Sequence, residues 1–145
     1  MKRKRIDFLV TVLLLSLGAI ASLYFNPPNP ILAFIYLGIP SFFLMFREKK
    51  NYKKIFWGVL IFGVLMGSAF ELIATLNGAW AVPRVMFPEI MLGVFPAESI
   101  LGYVFMTLFI VVFYEHFLDD ERHPRLSPSH AKAFLLLLLI TLVVF

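Results

Sequence analysis

The sequence contains no cysteine. This absence excludes disulfide bonds, thiolate nucleophiles and cysteine-ligated metals. Charged residues are also scarce, at 15% of the 145 residues, whereas a typical soluble domain has about a quarter. The chain has no Gly-rich phosphate loop, no pair of histidines at metal-ligand spacing and no recognisable Ser/His/Asp arrangement. P-loop chemistry, zinc chemistry and triad hydrolysis are therefore not predicted.

Apolar residues are abundant instead. They make up 61% of the chain, and the mean hydropathy is +0.89, against about 45–50% apolar residues in soluble domains. A soluble fold of this length could not bury so much apolar surface, so we expect lipid to cover it. The net charge of +4 comes from basic residues that flank apolar runs. This placement indicates membrane topology and gives no reason to predict binding to nucleic acid.

Five apolar runs predict an all-α integral membrane protein that forms a single domain over residues 1–145. The runs are Phe8–Phe25, Ile31–Phe46, Ile55–Leu76, Ile100–Phe117 and Ala131–Phe145. A helix needs about 20 residues, within a range of ~17–25, to cross the bilayer core. The first, third and fourth runs are long enough alone, and the second, which contains Pro40, is long enough with its flanks. The fifth run is short, so we expect a short packed helix or a span that ends with the chain.

Basic residues set the predicted orientation. With the N-terminus in the cytoplasm, every Lys and Arg except Arg84 lies on the inner side of the membrane. We expect the plasma membrane as the location. The N-terminal basic residues, the first run and Ala19-Ile20-Ala21 also resemble a cleavable signal peptide. The run continues to Phe25, so we expect it to remain as a span.

Two carboxylates lie within or directly beside these runs, and they are the main candidates for function. Glu71 lies in the third run, on one helical face with Gly63 and Gly67, and Glu98 follows Pro96 where the fourth run begins. A buried intramembrane acid costs several kcal/mol unless it is neutral or paired, so it marks a functional site by default. Each acid also has a structural interpretation, as a bond between helices or as a helix-start signal. Both lie near the outer ends of their helices, which predicts a shared pocket there.

Other polar residues carry weaker signals. Glu115 and His116 close the fourth run, and we expect solvent around them. The segment 119–123 contains residue types that ligate metals, but a second acidic motif is missing, so no metal site is predicted. Trp57 and Trp80 lie at opposite predicted interfaces, as belt tryptophans do.

Four short motifs occur in a fixed order from the third run to the end of the fourth. They are Phe70-Glu71-Leu72-Ile73-Ala74, Gly78-Ala79-Trp80, Gly93-Val94-Phe95-Pro96-Ala97-Glu98 and Tyr114-Glu115. Together they resemble the lycopene cyclase domain of membrane-embedded, heterodimer-type carotenoid cyclases and of fungal bifunctional cyclase–phytoene synthases. The resemblance covers about Ile31 to Glu115 and implies a three-helix unit over residues 31–117. The family usually has an Asp where Glu71 stands and a second Glu where Ser99 stands.

The resemblance implies an isomerase of carotenoid biosynthesis that closes rings on lycopene or a similar linear carotenoid. It implies a hydrophobic polyene substrate, no cofactor, and a second cyclase-like subunit or second copy as partner. Ring closure protonates an alkene, passes through a tertiary carbocation and ends with proton loss. We predict Glu98 as the acid and Glu71 as the carboxylate that stabilises the cation or takes the proton, although the two roles can be exchanged. The aromatic side chains predicted to contact the substrate are Trp80, Phe95, Tyr103 and Phe70.

Two other classes of function remain open. The chain can be a non-catalytic membrane subunit that binds a lipid or a partner enzyme, with both acids structural; the single domain and Ser99 favour this alternative. It can also be half of a dimeric transporter, in which the acids relay protons and flux is proton-coupled. Formation of ring carotenoids in a lycopene-accumulating host distinguishes the cyclase from both.

The predicted topology is testable with reporter fusions. Because basic loops stay inside, fusions after Lys54 and after Arg125 should report a cytoplasmic position, and a fusion after Arg84 should report an external one. Paired phosphatase and fluorescent reporters measure this. An external signal at Lys54 would reverse the assignment.

Overall fold

A computed structural model of the chain describes residues 2–47, 52–79, 86–87, 90–91 and 94–119. This part of the chain is mostly helical, and it contains four helices that are long and apolar enough to cross a membrane. They are α1 (Lys2–Phe25), α2 (Asn29–Arg47), α3 (Tyr52–Leu76) and α4 (Glu98–Leu118). The structure confirms four of the predicted helices. The fifth predicted run, residues 131–145, lies outside the described residues.

Each helix extends beyond the apolar run that predicted it. α1 begins at Lys2 rather than at Phe8, because Lys and Arg are good helix formers and their charges can remain in water while the helix continues. α2 continues through Pro40. Proline has no backbone N–H group, so it cannot donate a hydrogen bond to the carbonyl oxygen four residues earlier. A wider π-helical turn, Phe34–Gly38, lies directly before this part of α2. A second π-helical segment, Val59–Met66, lies in the middle of α3.

The four helices form a bundle in which α4 packs against both α2 and α3, and α1 packs against α2. The buried apolar core consists of Leu44 from α2, Ile55 from α3 and Val112 from α4. Large apolar side chains elsewhere point outward, and Leu23 and Phe46 are more than four-fifths exposed. An outer surface of this kind favours contact with lipid.

α3 and α4 approach each other closely at two glycines of α3. Gly63 and Gly67 are buried against α4, as the sequence predicted for that face. A Cβ atom at Gly63 would lie 3.1 Å from the Cα of Val104, and one at Gly67 would lie 2.7 Å from the Cβ of Tyr103. Only glycine permits this approach, because any larger residue would have to displace the opposite helix.

The segment between α3 and α4 contains a short antiparallel hairpin. Its strands are β1 (Ile90–Met91) and β2 (Phe95–Pro96), and Met91 lies opposite Phe95. β2 also contacts α3, and the Phe95 side chain is buried. The hairpin thus positions the chain that enters α4.

The glycine contact gives a matched pair of variants. Gly67→Ala should lower the free energy of unfolding by about 1–3 kcal/mol, because the new methyl group overpacks the interface with Tyr103. Gly58→Ala is the control, since its Cβ would meet Val111 at an ordinary 3.4 Å. Thermal unfolding in detergent measures both. Equal melting temperatures for the two variants would contradict the close packing of α3 on α4.

Candidate functional site

Glu71 is buried between α3 and α4, with 2% of its surface exposed. Its Oε2 atom accepts a hydrogen bond from the Tyr103 hydroxyl group at 2.9 Å. Gly67, one helical turn before Glu71, leaves space for the Tyr103 side chain. The glycine thus allows the tyrosine to lie flat on α3, within reach of the carboxylate. Packing against Tyr103 therefore encloses Glu71.

The Phe70 ring meets the ring of Tyr103 edge-on, with centroids 6.2 Å apart. Phe70 itself is about half exposed on the outside of the bundle. Glu71, Tyr103 and Phe70 therefore form one group. The buried Glu71 carboxylate contacts Tyr103, and the Tyr103 ring contacts Phe70 on the outer surface of the bundle.

Glu98 is the first residue of α4 and is 3% exposed. Its Oε2 atom accepts hydrogen bonds from the backbone N–H groups of Met86, at 2.7 Å, and Phe87, at 2.9 Å. Glu98 therefore attaches the preceding segment to α4, and it is also the acid in the first turn of α4 that the helix-start interpretation predicted.

The other oxygen of Glu98 has different surroundings. Oε1 is buried and has no hydrogen-bond partner among the described residues, and the same holds for the hydroxyl group of Ser99. Buried polar atoms are nearly always bonded, so two adjacent exceptions require an explanation. One helical turn further on, a Cβ atom at Gly102 would meet no described atom within 4 Å. Glu98 thus presents an oxygen that has no hydrogen-bond partner in the described part of the chain, one helical turn before this glycine.

The two carboxylates lie at the same end of the bundle, because α3 ends and α4 begins there. α3, which carries Glu71, packs against α4, which carries Glu98. It also packs against β2, the strand that directly precedes α4. Phe95 is buried three residues before Glu98. Trp80, the remaining candidate, lies outside the described residues. The shared pocket for the two acids stays a prediction.

At the opposite end of the bundle the structure contains a buried charged cluster that the sequence analysis missed. Asp7 of α1 is 1% exposed. Its Oδ1 atom accepts bonds from Nε and Nη2 of Arg47, both at 2.7 Å, and its Oδ2 atom lies 3.1 Å from Nε2 of His116. These three residues, called the Asp7 cluster below, join α1, α2 and α4.

The Asp7 cluster corrects the expectation that His116 and Glu115 are solvated. His116 is 2% exposed, because Asp7 and the ring of Phe117 enclose it. Glu115 is mostly buried and forms an ion pair with Lys54. A signal was present in the sequence, since Asp7 is an isolated acid between the basic N-terminus and an apolar run. Such an acid requires a partner once the helix is packed.

Comparison with protein-family models, with curated proteins and with solved structures finds no match to this chain. The interpretation of the site thus depends on its geometry and on the motifs of the sequence. The family resemblance carried by Phe70–Ala74, Gly78–Trp80 and Gly93–Glu98 stays a prediction.

The Asp7 cluster is testable by substitution. Asp7→Asn keeps the shape but removes the negative charge that compensates Arg47, so we expect a loss of about 3 kcal/mol of stability. The matched control is Asp119→Asn, which weakens an ion pair with the half-exposed Lys54 and should cost at most about 1 kcal/mol. Denaturation in detergent measures both. Similar losses in the two variants would contradict a structural role for the cluster.

Proposed function

We propose that this chain is a carotenoid cyclase, or a subunit of one. It would close end rings on lycopene or a similar linear carotenoid by acid catalysis, without net oxidation or reduction. The observation that carries this proposal is the environment of Glu98. Two backbone N–H groups hold one of its oxygens, while the other is buried and has no hydrogen-bond partner among the described residues.

This environment suits a proton donor. The carbonyl oxygen of a protonated carboxyl group can accept both backbone bonds, which leaves Oε1 to carry the proton. The acid is then oriented before the substrate arrives, and its proton points away from the segment that holds it. A general acid needs this fixed position within hydrogen-bond reach of the reacting atom. The geometry therefore favours Glu98, rather than Glu71, as the acid.

The reaction conserves atoms and electrons. Transfer of the Glu98 proton to a terminal alkene forms a tertiary carbocation, and a neighbouring double bond attacks it to form the ring C–C bond. Loss of a proton from the ring cation then restores an alkene, so the product is an isomer of the substrate. The departing proton needs a base, and its return to Glu98 completes the cycle.

Glu71 suits the second role. It accepts the Tyr103 hydroxyl bond, so its carboxylate is oriented as an acceptor. A negative charge beside the Tyr103 ring would stabilise the cation, and the faces of Tyr103, Phe70 and Phe95 would add cation–π attraction. Phe70 lies on the outer surface of the bundle, where a polyene dissolved in lipid would first make contact.

In this proposal the chain lies in the plasma membrane with its N-terminus in the cytoplasm, and Trp80 is a further predicted contact to the substrate. A second cyclase-like subunit or a second copy of the chain would provide the other half of a complete enzyme. The alternative is a non-catalytic membrane subunit. The two bonds from Met86 and Phe87 are also consistent with it, because a side chain that holds two backbone N–H groups can serve as a structural link.

Substitution of the two acids separates the alternatives. Expressed in a lycopene-accumulating host, alone or with its neighbouring genes, the wild-type chain should produce cyclic carotenoids. Glu98→Gln should abolish them, because the amide oxygen can still accept both backbone bonds but no proton is available. Glu71→Gln should do nearly the same, and the double variant should be no worse than either single one. Chromatography of the pigments measures the products.

The control is Lys53→Gln, an exposed change at the other end of the bundle, which should leave the pigments unchanged. Melting temperature and elution volume of each purified variant show whether it is folded. A wild-type chain that forms no rings under either condition would contradict the proposal. Glu98→Gln with full activity would exclude Glu98 as the acid.

A further inference from the structure

A groove runs along the outside of the bundle between α1 and α4, at the end opposite the candidate site. It has a volume of about 520 Å³, and almost all of its wall is apolar. Its main lining residues are Phe8 and Leu9 from α1, Phe113 and Phe117 from α4, and Lys4 and Arg5 at one end. The rings of Phe8 and Phe117 meet edge-on at 5.8 Å and form its floor.

The two cations at the groove have no bonded partner in the described part of the chain. Arg3, next to them, donates a hydrogen bond to the carbonyl oxygen of Arg47, whereas no such bond or ion pair involves Lys4 or Arg5. The acid closest to them in sequence is Asp7. Both of its oxygens are already engaged, by Arg47 and by His116. Asp7 is therefore engaged elsewhere, and no acidic side chain in the described part of the chain pairs with Lys4 or Arg5.

We propose that this groove binds an anionic phospholipid. Its phosphate group would lie against Lys4 and Arg5, and one acyl chain would lie along Phe8, Leu9 and Phe117. An anionic phospholipid has a negatively charged headgroup attached to hydrocarbon chains. The groove has the complementary arrangement, because two cationic side chains lie at one end of an apolar wall. Basic residues at a helix end attract anionic lipids, and the aromatic wall restricts where the chain can lie. This site is independent of the proposed cyclase activity.

The test uses the purified full-length chain and two lipids with identical acyl chains. Native mass spectrometry compares retention of phosphatidylglycerol, which is anionic, with that of phosphatidylcholine, which is zwitterionic. Wild type should retain phosphatidylglycerol preferentially. One basic residue beside an anionic lipid strengthens binding by about fivefold, so Lys4→Gln with Arg5→Gln should weaken retention by about 30-fold. Equal retention of the two lipids by wild type would overturn the proposal.

Matched variants separate this site from general attraction to the surface. Arg5→Gln should weaken retention about fivefold, whereas Lys53→Gln, an exposed cation outside the groove, should have no effect. Leu9→Trp fills the groove but keeps both charges, and it should also reduce retention. Leu17→Trp is its control, because Leu17 is similarly exposed on α1 but does not line the groove. If Leu9→Trp behaved like Leu17→Trp, the lipid would not lie in the groove.

A segment of the chain itself is the competing occupant. The sequence has no cysteine, so Leu9→Cys can be paired with single cysteines placed in turn across residues 131–145. Oxidation of membranes that contain these variants should give little cross-linking, because lipid occupies the groove. Efficient cross-linking at one register, together with no preference for phosphatidylglycerol, would show that the chain fills its own groove and would overturn the proposal.

Discussion

The Asp7 carboxylate connects three of the four described helices, and the arrangement of one end of the bundle depends on it. A carboxylate inside a low-dielectric bundle is tolerated only when charged or hydrogen-bonding partners replace water on both of its oxygens. Arg47 and His116 provide them, so α1, α2 and α4 must meet in a single register. Apolar contacts within the cluster of Leu44 and Val112 also stabilise the bundle. They are less directional than hydrogen bonds, so they fix the relative positions of the helices less strictly. The charged cluster therefore makes the packing specific.

The other end of the bundle depends on glycine rather than on charge. Gly67 brings the Tyr103 side chain against α3, and the tyrosine hydroxyl then orients Glu71. Glu98 is held differently, by backbone N–H groups of the segment that precedes α4. The two acids thus share an end of the bundle but have different partners, and this difference underlies the separate chemical roles proposed for them. A small change in the approach of α3 to α4 would alter Glu71 while leaving the bonds of Glu98 in place.

Much of the fold and part of the site could be predicted from residue patterns. Long apolar runs predicted all four described helices, because burial of backbone groups away from water requires helical hydrogen bonding. The spacing of Gly63, Gly67 and Glu71 predicted a packed face, and the structure confirms it. The partners of the acids could not be predicted in the same way. Tyr103 is 32 residues from Glu71, and His116 is 109 residues from Asp7, so neither pair leaves a local pattern in the chain.

Composition and periodicity by themselves determined the class of this protein, its helices and the two acids of interest, since these depend on local hydropathy and on helical spacing. Tertiary structure alone decided which polar groups are enclosed. His116 and Glu115 have the sequence context of a solvated helix end, yet the packing of α1 and α3 beside α4 removes most of their contact with water. Glu98 has the context of a helix start, yet the returning segment takes both bonds of its Oε2 atom. Burial is a property of neighbouring elements, and contacts distant along the chain determine which elements become neighbours.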